Sequence, residues 1–225
     1  MHKEEEEIQI RFISYAHIPF KAEIEAENLQ IDWGDGQYSQ YRGKHFHPSH
    51  TYAHEGTFLI RMTGKKITYA HFARLSLSEI QFRYCNTLEY LDCSINELKE
   101  LDLSQCPCLE ELYCNSNNLE ELHFSQHSHL SILNVSYNIL KSIDLSGCCS
   151  LQTLYCSNNH LSHLELKTCT SIHHLDVSHN LFGKNDLDRL FLQLPERNIN
   201  ASLCYTENPG TGFENPSLFK VKKWS

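Results

Sequence analysis

The chain has 225 residues, 40% of them apolar and 11% aromatic, enough for one large domain or two small ones with a core. No run approaches the roughly 18 apolar residues of a membrane-spanning helix, so such a helix is excluded. The formal charge of −9 sits mostly in residues 67–182, with thirteen acids against five bases, while residues 1–66 and 183–225 carry −2 and +1. This field argues against nucleic acid and leaves a basic protein surface, a metal ion or a plain solvated face.

Met1-His2-Lys3 followed by Glu4 to Glu7 is acidic where a signal peptide is basic and then apolar. Either the protein is not exported by that route or the numbering begins after a removed leader. Period-two alternation predicts strands in EIQIRFIS (Glu7–Ser14), KAEIEAENLQIDW (Lys21–Trp33) and TFLIRMTG (Thr57–Gly64). Between them, IDWGDG (Ile31–Gly36) and HTYAHEGTFLI (His50–Ile60) resemble a PKD-like β-sandwich, with a W-G-D-G turn ahead of an H-T-Y…G-T-F strand. The segment is shorter than a full domain of that type. Residues 1–66 are therefore expected to form a partial sandwich that docks on the next unit and hides its open edge.

From residue 67 the chain repeats every 21 residues. LEYLDCSINELKELDLSQCPC begins at Leu88, LEELYCNSNNLEELHFSQHSH at Leu109, LSILNVSYNILKSIDLSGCCS at Leu130 and LQTLYCSNNHLSHLELKTCTS at Leu151. A degenerate copy starts at Ile67 and a truncated one at Ile172, and the register never slips. Apolar residues hold repeat positions 1, 4, 6, 11, 14 and 16, and positions 4 to 6 alternate as a short strand. Position 9 is Asn96, Asn117, Asn138, Asn159 and Asn180, with Leu75 in the first copy. A buried Asn is costly unless its amide is bonded, so the column predicts a stacked amide ladder.

The pattern L-x-x-L-x-L/C-x-x-N-x-L resembles the leucine-rich-repeat family at the short end of its range. The L-x-C-S-x-N…L-x-x-L-D-L-S-x-C variant is similar to repeats of surface proteins in Bacteroides-type bacteria. The resemblance covers about half the chain and implies a mainly β repeat solenoid, a horseshoe of about six 21-residue coils over 67–182. So short a coil leaves little room for a full helix on its return side. That side is expected to be extended or 3₁₀, with L-x-x-L-D-L-S as an irregular second strand. The resemblance further implies a secreted or surface-held protein, whereas ten thiols and the lack of a leader in the numbered sequence point to a cytoplasmic one.

Residues 183–225 are expected to be a C-terminal cap. Asn185 or Asp186 would N-cap a helix carrying Leu187, Leu190, Phe191 and Leu194 on one face, and Pro195 would end it. ASLCYT (Ala201–Thr206) reads as a last strand, and NPGTG…FKVKKW resembles a closing segment of such repeats, so the chain is expected to be complete there.

Ten cysteines invite a disulfide framework, but the columns favour another reading. Cys93, Cys114 and Cys156 share position 6 with Val135 and Val177, which marks them as small buried hydrophobes. Cys85, Cys106, Cys148 and Cys169 share position 19, interrupted by His127. Coils about 5 Å apart permit Cys85–Cys106 and Cys148–Cys169 bridges without requiring them. Fifteen histidines include His45, His47, His50 and His54 near the N-terminus and His173, His174 and His179 on the last copy. His50 fits the structural H-T-Y position, and Asp32 and Asp35 suit a turn better than calcium, so no metal site is assigned. No nucleophile motif or Gly-rich phosphate loop occurs, and neither a catalytic residue nor a cofactor is assigned.

The informative surface is the set of strand positions that alternate away from the core. Position 3 reads Tyr69, Tyr90, Glu111, Ile132, Thr153, His174; position 5 reads His71, Asp92, Tyr113, Asn134, Tyr155, Asp176. Position 8 reads Arg74, Ile95, Ser116, Tyr137, Asn158, His179. Five tyrosines on such a ribbon suit recognition, because the side chain is rigid, amphipathic and little penalised in entropy, although tyrosine also simply favours strands. The expected function is non-catalytic binding by a monomer through Tyr69, His71, Tyr90, Asp92, Glu111, Tyr113, Asn134, Tyr137, Tyr155, His174 and Asp176. The expected partner is a protein, and the charge permits a basic one while fitting a plain solvated face better; a glycan is the alternative, as is an intracellular scaffold or immunity-type binder.

Overall fold

Period-two alternation in the first third of the chain becomes sheet with one sealed face in the computed structural model, which describes residues 5–15, 17–122, 127–196, 201–213, 215, 217 and 224. The strands there are β1 (Glu6–Ser14), β2 (Phe20–Lys21), β3 (Glu23–Asp32), β4 (Tyr38–Tyr41), β5 (His45–Phe46), β6 (Ser49–His50), β7 (Gly56–His71) and β8 (Leu77–Arg83). Ile8, Ile10, Ile24, Leu29, Ile31, Ile60 and Met62 alternate inward and are buried with Trp33 and Tyr52.

The W-G-D-G turn has a definite mechanical role. Gly34 has φ +77°, and a Cβ there would lie 2.5 Å from the Leu59 carbonyl oxygen, so a larger residue would push the turn off β7. Asp32 accepts the Gly34 N–H at 2.9 Å, and Asp35 accepts that of Gln37 at 3.0 Å. His50 stacks on Trp33 with ring centroids 4.7 Å apart and places Nε2 2.7 Å from Asp35. The Tyr52 hydroxyl donates to the Trp33 carbonyl at 2.8 Å.

The repeats follow as three-residue strands, β9 (Tyr90–Asp92), β10 (Glu111–Tyr113), β11 (Ile132–Asn134), β12 (Thr153–Tyr155) and β13 (His174–Asp176). Each pairs in parallel with the next at a 21-residue offset, so like positions stack on like. The helix α1 (Lys184–Gln193) and strand β14 (Ser202–Cys204) complete the elements, and β14 pairs in parallel with β13. The sheet runs without a break from β14 through β13, β12, β11, β10 and β9 to β7, then β1 and β8.

Two strands join the units. β7 crosses the 66/67 boundary drawn from the repeat register, pairing with β1 over Gly56–Gly64 and with β9 over Tyr69–His71. β3 lies along its other side and pairs with both halves. Where β1 gives way to β9, the buried Glu6 carboxylate accepts the N–H groups of Ile67 and Thr87 and the Thr87 hydroxyl. The first copy is thus only half a coil: its second half, expected to return along the solenoid, is β8, which pairs antiparallel with β1. In the full coils the expected second strand is not formed among the described residues. A single bridging residue at Asp102 and turns take its place, with Asp102 accepting the Ser104 N–H at 2.8 Å and Asp144 that of Ser146 at 2.9 Å.

The amide ladder holds the coils in register. Asn138 is typical: its Oδ1 accepts the Leu119 N–H at 2.9 Å, and its Nδ2 donates to the Cys114 and Val135 carbonyls at 3.1 and 3.0 Å. Asn96, Asn117, Asn159 and Asn180 repeat the arrangement. Repeat position 8, the residue before each Asn and before Leu75 in the first copy, takes a left-handed conformation: Arg74, Ile95, Ser116, Tyr137, Asn158 and His179 have φ between +51° and +61°. Their N–H groups donate to position-7 carbonyls of the following coil, as Tyr137 does to Ser157 at 2.9 Å.

Asn208 adds a rung beyond the 21-residue register. It donates to the Val177 and Tyr205 carbonyls at 3.0 and 2.8 Å and accepts the Phe182 N–H at 3.1 Å, while Glu207 before it has φ +57°. The step from Asn180 is 28 residues because α1 is inserted in the return leg. The helix is capped differently from expectation: Gly183 is the N-cap, and Asp186 sits at N3, accepting the Gly183 N–H at 3.2 Å. Leu187, Leu190, Phe191 and Leu194 are buried as expected. Trp224 bridges Ala201 and donates its Nε1–H to the Pro195 carbonyl at 2.9 Å; the rest of the expected F-K-V-K-K-W closing segment lies outside the described residues.

Candidate binding face

Because position 4 and 6 side chains fill the core, positions 3 and 5 project from the opposite face of the sheet. Pairing aligns them in two rows across the strands. Tyr69, Tyr90, Glu111, Ile132, Thr153, His174 and Ser202 form one, and His71, Asp92, Tyr113, Asn134, Tyr155, Asp176 and Cys204 the other. Arg74, Ile95, Ser116, Tyr137, Asn158 and His179 form a ridge beside them, with Tyr137 61% and Tyr155 40% exposed.

The aromatic groups meet at the N-terminal end. Tyr69 and Tyr90 stack with centroids 4.4 Å apart at 10°, and Tyr113 tilts against Tyr90 at 5.7 Å. The Tyr113 hydroxyl donates to Glu111 Oε2 at 3.0 Å. Burial, with Glu111 and Asp92 close by, pushes the Tyr113 hydroxyl up to about 12. Tyr69 and Tyr90 are also raised, by burial first and then by carboxylates, from Glu23, Asp92 and Glu25 at Tyr69 and from Asp92 at Tyr90. All three remain neutral phenols at physiological pH.

Other site residues serve the fold as well as the surface. Asp92, Asn134 and Asp176 each accept the N–H two residues on, from Ser94, Ser136 and Ser178 at 2.9, 3.1 and 2.9 Å. These side chains therefore tie the strand to the left-handed turn. His71 Nδ1 lies 3.3 Å from Asp92, and His174 Nδ1 lies 2.6 Å from the Ser202 hydroxyl.

Sequence reasoning missed an extension of the face. β3 pairs with β7 so that Glu25 lies beside Tyr69 and Glu23 beside His71, while Ile24 is buried beside Ala70. The E-I-E-A-E alternation signals an outward acidic row, but not the strand beside which it lies. His45 Nδ1 contacts Glu25 at 2.7 Å and His47 Nδ1 contacts Glu23 at 3.8 Å. The N-terminal histidines are thus divided, His45 and His47 on this face and His50 inside the cap. Among the described residues no three His, Cys, Asp or Glu side chains are placed to hold a metal ion.

All ten cysteines are free thiols, and those of positions 6 and 19 are buried. Burial raises Cys93, Cys114 and Cys156 far above the ordinary thiol range and pushes Cys148 up to about 12, so these groups pack as neutral hydrophobes. No helix among the described residues is long and apolar enough to cross a membrane.

No protein-family model matches the chain, and no curated protein does. Solved structures do. The functional domain of InlJ from Listeria monocytogenes, described as including a cysteine ladder, superposes with a TM-score of 0.52 at 23% identity, over 68% of this chain and 37% of that one. YopM from Yersinia enterocolitica WA-314 superposes with a TM-score of 0.52 at 26% identity, over 64% of this chain and 30% of that one. The chain spans about a third of the length of these neighbours. With its 21-residue rungs, stacked asparagines and inward leucines, this protein is folded as a leucine-rich-repeat solenoid.

Proposed function

We propose that the protein is a non-catalytic recognition module that binds a protein partner through its concave face, with a PKD-like β unit closing the N-terminal end. The observation that carries this is the run of tyrosines in ring contact, Tyr69 stacked on Tyr90 and Tyr113 tilted against it, on a sheet whose other face is sealed by core. Ile95 supports it. This β-branched residue is 41% exposed and held at φ +55°, a conformation that the fold satisfies better with the asparagine found at the same position in Asn158.

A glycan is the second reading, favoured by the exposed rings of Tyr137 and Tyr155, which offer platforms for a sugar. We extend the proposal to a secreted or surface-held protein on the resemblance to exported repeats alone; the ten free thiols are the observation on the side of a cytoplasmic scaffold. The test is affinity capture with the wild type and with the combined variant Tyr90→Ala, Tyr113→Ala and Tyr155→Ala. Loss of the captured partner by the variant is expected, and retention at unchanged affinity would refute the concave-face assignment.

A further inference from the structure

The tyrosines at the N-terminal end of the face stand among carboxylates, and one hydroxyl proton is already used on them: Tyr113 donates to Glu111. What the surface then offers is acceptors, namely phenolic oxygens and the carboxylates of Glu23, Glu25, Asp92 and Glu111. A carboxylate has about four acceptor positions, so the single contact that Glu25 makes with His45 and Glu111 with Tyr113 leaves room for a ligand. Registration gives these acceptors a pattern. One row reads Glu25, Tyr69, Tyr90, Glu111 across β3, β7, β9 and β10, and the row beside it reads Glu23, His71, Asp92, Tyr113. Among the rows and the flanking ridge, Arg74 supplies the sole Lys or Arg side chain.

We infer that this end of the face is the docking site for an arginine-bearing segment of a protein partner, whose guanidinium groups bridge the carboxylates on either side of the Tyr69–Tyr90 stack. The inference rests on the concave-face reading and specifies its occupant. Guanidinium is pure donor, five N–H groups in a planar fork, and so complements a surface rich in carboxylate acceptors. Three strand spacings separate Glu25 from Glu111, about 14 Å, which about four residues of extended chain cover. A segment with two arginines a few residues apart reaches both ends. Lysine brings the same charge without the fork, an acidic segment meets a like-charged surface, and a neutral one lacks the charge.

The test uses a short fluorescein-labelled peptide of arginines spaced by glycine and serine, with lysine and glutamine versions, titrated by anisotropy into the whole protein. The paired variant Glu25→Gln and Glu111→Gln keeps size and removes two charges from the face. The paired variant Glu100→Gln and Glu120→Gln removes two exposed charges from the return side and controls for the overall field. The face variant is expected to weaken arginine-peptide binding about tenfold, a typical combined effect of two partly exposed charge pairs, and the control less than about twofold. Circular dichroism confirms that both variants are folded. Equal weakening by the two variants, or wild-type affinity for the arginine peptide no higher than for the lysine or glutamine peptide, overturns the inference. The two readings fail separately. A captured partner lost with the tyrosine variant but kept by the glutamate variant removes the arginine assignment alone, whereas one kept by the tyrosine variant removes the face itself.

Discussion

Replacing Asn138 by alanine removes one rung of the amide ladder from the middle of the solenoid, and the structure sets the size of the effect. The bonds to the Leu119 N–H and to the Cys114 and Val135 carbonyls disappear, with a longer one of 3.4 Å to the Ser136 carbonyl. The consequences differ. The Cys114 carbonyl keeps the Asn117 amide at 3.1 Å, and the Val135 carbonyl keeps the Asn159 amide at 3.0 Å. The Leu119 N–H loses its acceptor in a fully buried position. An orphaned buried donor costs about 1–3 kcal/mol and each lost but partly compensated bond about 0.5 kcal/mol, so about 3 kcal/mol is expected in total. For a chain of this size that lowers the melting temperature by about 6–12 °C. Aspartate should be worse than alanine, since it keeps the acceptor but sets an anionic oxygen against two carbonyls. The assay is thermal unfolding followed by circular dichroism and by the fluorescence of Trp33 and Trp224, which lie in the N-terminal unit and at the C-terminal end. Asn118→Ala, next to the preceding rung Asn117 and exposed, is the reference and should shift stability by less than about 0.5 kcal/mol. If Asn138→Ala falls no further than Asn118→Ala, the ladder does not hold the coils together and the energetic reasoning here is wrong.

Two further outcomes test the local geometry. Ile95→Asn should raise stability by about 1 kcal/mol, because an L-residue in the left-handed region costs about 1–2 kcal/mol and asparagine relieves part of it; a destabilised variant in urea titration would show that the Ile95 side chain packs usefully. Gly34→Ala should destabilise the N-terminal unit by about 2 kcal/mol or more, read from Trp33 fluorescence, since its Cβ meets the Leu59 carbonyl at 2.5 Å and the backbone has positive φ. Gly36→Asn, with φ +88° and nothing within 4 Å of its Cβ, should be tolerated much better, and equal losses at the two glycines would refute the contact argument.

What the amino-acid sequence determined by itself was the repeating interior. Leucines, the Cys/Val column and the asparagines recur at 21 residues, and in a stack of equal coils each position meets its own copy, so spacing alone assigned Leu112, Cys114 and Asn117 to the core and Tyr90 and Tyr113 to the face. The turn at position 8 was hidden, because its left-handed backbone is imposed by the ladder on residues as different as Arg74, Ile95 and Tyr137. So was the last rung, since α1 lengthens the step to Asn208 and breaks the period. Only the tertiary structure decided the acidic end of the binding face. Glu23 and Glu25 reach Tyr69 and His71 through a β3–β7 pairing whose register shifts twice, between Glu25 and Glu27 and again before Gln30. No local period encodes a pairing between strands so far apart in the chain, and irregularities in register arise from how the N-terminal unit is made to meet the repeats in one sheet.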